Sequence, residues 1–506
     1  MAKYIMAHDV GTSGDKAVLV GEDGKVYGKT VYPYDIKYPQ PGWAEQDPQQ
    51  WWTAVTKTTR SVLEQAKVSP SDILCICFSC KMLGIVPVTR ADGHLRIGII
   101  WLDNRAPDEA MQIMNKLGGP SIFRAIAGST IGGKDGMPKL LWLKNHEPEI
   151  YKKMECFLDT NGYLTYRCTG KMVMEWSNAS VFGLDLKSKK WMTDIMKYIG
   201  LDNSKLAPLV KSIDKVGGLT KEAAVELGLL EGTPVMAGGG DGPSAATGSG
   251  AVGEGMAHAN LGTSGWVGIV TSKALKAKHG VVTVQSADPG KLFLFGQMET
   301  AGACLKWVGD AVCRADQAVP SVFAYMDSNL DKISPGSDYL IFTPWMYGER
   351  APVDDTFVRS SFLNLTPEHT REHMQRAVYE GVAYNIRWIT EIFERDFKFP
   401  IPSLRIIGGG AYGKPWMKIM ADVTGRKIEP VCNPQEAGAV GVAMAAAVGL
   451  GIHPNFEAVK KVVAVDHVYE PRAENKAIYD TLFCSYQEAY TSLKSFYTRL
   501  NRARCH

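Results

Sequence analysis

His8-Asp-Val-Gly-Thr-Ser-Gly14 and Ala259-Asn-Leu-Gly-Thr-Ser-Gly265 spell the same turn in the same setting. Each is preceded by a short apolar run and followed by a second one, residues 16–20 and 266–270. Gly262 lies 251 residues after Gly11, close to half of the 506-residue chain. The chain therefore reads as two homologous halves, each opening with a strand, a Gly-Thr-Ser turn and another strand. The glycine-rich run Gly248-Ser-Gly-Ala-Val-Gly-Glu-Gly255 is the expected join, dividing the protein into residues 1–248 and 249–506.

Strand and helix signals alternate outward from the first turn. Residues 4–8, 16–20 and 26–32 read as an antiparallel meander, with Glu22-Asp-Gly24 as one of its turns. Asp47-Pro48 then signals a helix start, with Trp51, Trp52, Val55, Val62 and Ala66 at helical spacing. Strand character returns at residues 74–79 and 97–101. Sheet and helix share one core, so the fold class is α/β.

Composition narrows the partners. Lys plus Arg number 56 against 53 Asp plus Glu, a formal charge of +3, too small to imply a nucleic-acid or membrane surface. The N-terminus reaches Asp9 before an apolar core of signal-peptide length accumulates, so a cytoplasmic location is expected. Residues 437–452, the longest uncharged stretch, read as a buried helix of small residues. The ten cysteines are scattered, which suits a reducing compartment. Cys77-Phe-Ser-Cys80 has CxxC spacing within a buried strand, and core cysteines are expected there. The others, Cys313 and Cys505 among them, supply no second pair or His cluster at ligand spacing.

The chemistry concentrates at glycine turns. A Gly-Thr-Ser turn offers successive backbone N–H groups and two hydroxyls, a concave donor site for phosphate oxygens, so Gly11, Thr12, Ser13 and Gly262, Thr263, Ser264 are candidates to grip a polyphosphate. An ordinary hairpin is the alternative. Asp9, at the end of its strand, suits a phosphate-bound Mg²⁺, or a turn-forming role. Asp241 follows a strand and three glycines, where a carboxylate can take the proton of an attacking hydroxyl; the alternative is a helix cap. Gly408-Gly-Gly-Ala-Tyr-Gly413, between a strand and a helix, permits close nucleotide approach.

In combination these motifs resemble the FGGY carbohydrate kinases, and among them the xylulokinases. The likeness runs through Asp9-Val-Gly-Thr-Ser13, Trp43-Ala-Glu-Gln-Asp47, Trp101-Leu-Asp-Asn-Arg105, Pro138-Lys-Leu-Leu-Trp142, Gly238-Gly-Gly-Asp241, Gly262-Thr-Ser264, Gly348-Glu-Arg-Ala-Pro352, Gly408-Gly-Gly-Ala411 and Glu436-Ala-Gly-Ala439. The resemblance implies two actin-like (ribonuclease H-like) domains around a central cleft, with ATP and Mg²⁺ as cofactors. It also implies a small sugar or polyol as substrate, Asp241 as catalytic base, and Asp9 near the metal and the transferred phosphate. By the same resemblance Gly409, Gly410 and Ala411 hold the nucleotide. Where xylulokinases read Gly-Gln-Met-His-Gly, this chain has Cys80-Lys-Met-Leu-Gly84. Lys81, Met82 and Leu83 are thus the expected sugar-pocket residues, with Leu83 in place of a sugar-contacting His. D-Xylulose is in doubt as substrate, and an acidic or differently substituted polyol is the other expectation. Lys81 is otherwise a solvated side chain.

Two other readings stand beside this one: an actin-like ATPase that moves domains, and a degenerate sugar-sensing kinase without transferase activity. Retention of Asp9, Asp241 and both turns speaks against the sensor. The chain ends in an expected amphipathic helix, with Ile478, Leu482, Ala489, Leu493, Phe496 and Leu500 on one face, and not in a peptide-binding domain. No nucleic-acid or membrane partner is expected; a homodimer remains open.

Overall fold

The computed structural model describes residues 3–312 and 321–502; Cys313 and Cys505 lie outside them. Strand Tyr4–Val10 pairs antiparallel with Gly14–Gly21, which pairs antiparallel with Val26–Pro33. On its other side Tyr4–Val10 runs parallel to Ile73–Cys80, and Pro234–Met236 and Gly239–Gly240 continue that parallel side. Lys215–Gly218 closes the edge of this seven-stranded sheet.

The second sheet repeats the plan. Ala257–Leu261 pairs antiparallel with Gly265–Thr271, which pairs antiparallel with Leu292–Met298. On the other side Ala257–Leu261 runs parallel to Ser403–Ile407, and that strand to Lys427–Pro430. Val281–Gln285 adds one edge strand and makes six. Each Gly-Thr-Ser turn joins the first and second strands of its own sheet, so sequence identity and topology point to the same duplication. The fold is mixed α/β with two actin-like domains.

Local chemistry accounts for most elements. Helix Pro48–Ala66 starts where the Asp47 side chain accepts the Gln49 N–H at 2.9 Å, and it buries Trp51, Trp52, Val55 and Val62. The strand expected at 97–101 shrinks to Gly98–Ile99, because the following residues turn into a buried ion pair between Asp103 and Arg105. Arg105 also reaches Glu45 at 2.8 Å and lies 3.8 Å over the Trp43 ring. Cys77 and Cys80, three apart on a strand, face opposite sides of the sheet and enter different cores, so they cannot share a metal.

The terminal helix Lys476–Asn501 buries Tyr479, Leu482, Phe483, Tyr486 and Tyr497, whereas Phe496 and Leu500, expected on the inner face, are exposed. At that end Tyr497 takes the inner place, its hydroxyl 2.6 Å from that of Ser361. Tyr479 donates to Glu380 at 2.8 Å and Tyr486 to Asn385 at 2.9 Å.

Two helices cross between the lobes. Asp241–Gly248 leaves the first sheet and packs Ala246 on Val270, Val284 and Phe293 of the second. Ala437–Gly449, from the second half, packs Ala439, Val440, Ala443 and Met444 on Ile5, Ala7, Val18 and Cys75 of the first. They touch where Gly248 meets the Ala437 carbonyl and Gly441 the Ser244 carbonyl, with no space for a Cβ at either glycine. Burial on all sides explains the uncharged stretch, and no described helix is long and apolar enough to cross a membrane.

Candidate active site

Two carboxylates stand at the ends of the central parallel strands. Asp9, next to last in its strand, accepts the Ser79 hydroxyl at 3.1 Å. Gly438 leaves room for it, since a Cβ there would lie 2.8 Å from the Asp9 carboxyl carbon. Asp241 opens its helix directly after Gly239–Gly240 and accepts the Gly242 N–H at 2.8 Å. Burial, then the Asp9 anion, pushes the Asp241 carboxyl up to about 7. Burial also holds Asp9 above the ordinary carboxylate range, opposed first by Lys16. The backbone ahead of Asp241 is fixed from outside the strand. The Ser177 hydroxyl accepts the Gly240 N–H at 2.9 Å and donates to Glu175, whose carboxyl burial pushes up to about 8.

Lys81 is not solvated. Its side chain is buried, with Nζ 3.1 Å from the Gly11 carbonyl, 4.3 Å over the Trp51 ring and 5.3 Å over the Tyr34 ring. Burial lowers its pKa to about 8, opposed by Cys80 and Asp241 among others. The cation is engaged by the first turn and its aromatic neighbours. Met82 packs against Gly240, and Leu83 is half-buried in a left-handed conformation at φ 62°. Beneath them Lys139 is buried, with Nζ 2.9 Å from the Ile100 carbonyl and 3.4 Å from that of Leu83.

The turns direct their carbonyls into protein. In the first, the Gly11 carbonyl accepts from Lys81 and from the Tyr34 hydroxyl at 2.5 Å, the Thr12 carbonyl from Gln46 at 2.7 Å, and the Ser13 carbonyl from the Tyr34 N–H at 3.1 Å. Trp101 Nε1 donates to Thr12 Oγ1 at 2.8 Å. In the second, the Gly262 carbonyl accepts from Gly302 at 2.8 Å, and the Thr263 carbonyl from Ala301 and Ala303, each at 3.0 Å. Among the described residues the N–H groups of Thr12, Ser13, Thr263 and Ser264 have no protein acceptor, which leaves them for an anion.

A cavity of about 800 Å³ opens beside the second turn, walled by Gly262, Thr263, Gly302, Ala303, Gly409 and Gly410. Such a volume suits a nucleotide-sized ligand. Ser264 lies outside its wall, and Ala411 is buried behind it with its N–H on the Gly408 carbonyl at 3.1 Å. Among the described residues no three His, Cys, Asp or Glu side chains cluster as metal ligands. Asp9, a half-buried carboxylate near a turn with open N–H groups, would fit Mg²⁺, which takes one or two carboxylates and completes its shell with phosphate oxygens and water.

Sequence reasoning did not find Ser79, Ser177, Glu175 or the cavity's Asp327, and Lys139 went unremarked inside a quoted motif. Gln46 and Trp101 stood within quoted motifs, but only the fold brings them to Thr12.

Against known proteins, the profile for the N-terminal domain of the FGGY family of carbohydrate kinases matches residues 4–248, and that for the C-terminal domain residues 257–450. A xylulose kinase of Bacillus subtilis is 31% identical, over 99% of each chain. A gluconokinase of the same organism is 26% identical, over 99% of this chain and 98% of its own. The solved structure of a ligand-bound xylulose kinase from Lactobacillus acidophilus superposes with a TM-score of 0.89 at 25% identity, over 98% of this chain and 100% of that one. This chain belongs to the FGGY family of carbohydrate kinases, phosphotransferases acting on sugar hydroxyls, and its cosubstrate is ATP.

Proposed function

We propose that the protein transfers the γ-phosphate of ATP to a hydroxyl of a small ketose, polyol or sugar acid, with Asp241 as general base. The observation that carries this reading is the placement of Asp241 at the end of the central strands, close enough to Asp9 for the two charges to act on each other; burial and the Asp9 anion push its carboxyl up to about 7. A base of that pKa is ionised for part of the time at pH 7 and still basic enough to take a proton. The substrate hydroxyl gives its proton to Asp241 as its oxygen bonds to phosphorus and the bond to the ADP oxygen breaks. Positioning by the turns supplies most of the acceleration.

Asp9 would hold Mg²⁺, which neutralises charge developing on the phosphates. Residues 1–248 supply the sugar side and the base, and residues 249–506 the nucleotide side. Met82 and Leu83 border the sugar, with Leu83 offering no polar contact. Lys81, engaged by Gly11, supports the first turn.

The relatives include xylulose kinases and gluconokinases, so both D-xylulose and gluconate belong in the test. ADP release is measured across ketoses, polyols and aldonates. Turnover that depends on one of them is expected. ATP hydrolysis indifferent to every compound, or sugar binding without turnover, would refute the proposal.

A further inference from the structure

The cavity beside the second turn holds a carboxylate that phosphoryl transfer does not use. Asp327, on helix Val322–Asn329, lines the wall together with Phe323, which stands one turn away on the same face. The Tyr379 hydroxyl donates to Asp327 Oδ1 at 2.8 Å, and among the described residues no cation pairs with it. Its Oδ2 stands beside Gly413, 3.6 Å from where a Cβ would lie. Burial raises the carboxyl above its ordinary range, against the Tyr379 hydrogen bond.

Two features say which part of a nucleotide this group meets. The phosphates belong at Thr263 and Ser264, whose N–H groups are open, and an anion that neither holds the metal, as Asp9 would, nor takes the proton, as Asp241 would, is repelled beside a triphosphate. The cavity then runs outward along helix Gly302–Val312. At about 1.5 Å of rise per residue, Trp307 stands roughly 7.5 Å beyond Gly302, well past the phosphates. Trp307 and Phe323 line this outer part and are each more than 40% exposed, as apolar faces awaiting a planar ring would be. An acceptor beside them faces the uncharged nucleoside.

We propose that Asp327, oriented by Tyr379, is the acceptor that reads the hydrogen-bond donors of the nucleoside, either the ribose hydroxyl pair or the exocyclic amine of the base. This rests on the reading of the cavity as the ATP site. Loss of a hydrogen bond to a charged group costs roughly ten- to a hundredfold in affinity.

The test is the Asp327→Asn variant, which keeps an oxygen for Tyr379 but loses the charge, assayed with ATP, 2′,3′-dideoxy-ATP and purine riboside triphosphate. The expected result is a raised KM for ATP with kcat and sugar KM preserved. The variant should also lose its discrimination against one analogue, dideoxy-ATP if the ribose is read and purine riboside triphosphate if the amine is. Unchanged ATP KM, or multiplicative losses with both analogues, overturns the assignment. So does a wild-type enzyme that accepts both analogues as readily as ATP, a measurement independent of how the variant folds. Ala303→Phe, which fills the cavity, separates the two claims. If it leaves ATP KM unchanged, the cavity reading itself fails; if it blocks ATP while the Asp327 cycle is multiplicative, only this inference does.

Discussion

Replacing Asp241 by Asn tests the base through a combination of effects that a structural carboxylate would not give. General-base catalysis is worth about 10²- to 10⁴-fold, so turnover should fall by that factor. Stability should move the other way. The carboxyl is raised from 3.8 to about 7 in the folded protein, so the native state binds a proton more tightly than the unfolded chain. Its favourable contribution is complete below pH 3.8 and is lost as the pH rises through 7. At 1.36 kcal/mol per unit the whole shift amounts to on the order of 4 kcal/mol. Solvent in the cleft reduces this to roughly half.

Asn carries no charge and escapes the loss. The variant should therefore melt above the wild type at pH 8, and the two should converge near pH 4. Melting curves from pH 4 to 9 in metal-free buffer, alongside an ADP-release assay, measure both effects. A variant that turns over freely, or that melts below the wild type at pH 8, would show Asp241 to be a cap for its helix and would refute the reasoning.

Lys81→Met removes a cation that lowers the Asp241 pKa, so the acid limb of the kcat/KM profile should move to higher pH; a limb that stays or moves down contradicts the placement of Lys81. Gly438→Ala sets a methyl 2.8 Å from the Asp9 carboxyl carbon, and displacement of that group should cost on the order of 10²-fold in turnover, checked by steady-state kinetics, with folding retained. Gly441→Val drives a side chain into the Ser244 carbonyl, and thermal melting should register a loss of about 1–3 kcal/mol.

The duplication was legible because backbone geometry demands it locally. Gly11 and Gly262 open turns between paired strands, and the same letters recur at the same place in each sheet. Asp9 and Asp241 could be singled out because each stands at the end of a strand beside a glycine turn, although Asp15 flanks the first turn from the other side. Lys81 was not, because a lone lysine in an apolar stretch looks like a solvated side chain until Trp51, Tyr34 and the Gly11 carbonyl, up to 70 residues away, enclose it. The Ser177 contact to Gly240 spans 63 residues and leaves no periodic mark. In the terminal helix Ile478, Leu482 and Leu493 pack on the core as expected, whereas Phe496 and Leu500 turn outward because Tyr497 buries ring and hydroxyl together, which a hydrophobic count scores too low.

The crossed helices Asp241–Gly248 and Ala437–Gly449 make the halves mutually dependent in a way their sequence likeness conceals. Each half lends a helix to cover its sibling's apolar sheet, so a severed lobe would leave that surface bare and draw aggregation. What began as a tandem copy has become an exchange of cladding, and neither copy can be discarded or expressed alone without undressing the other.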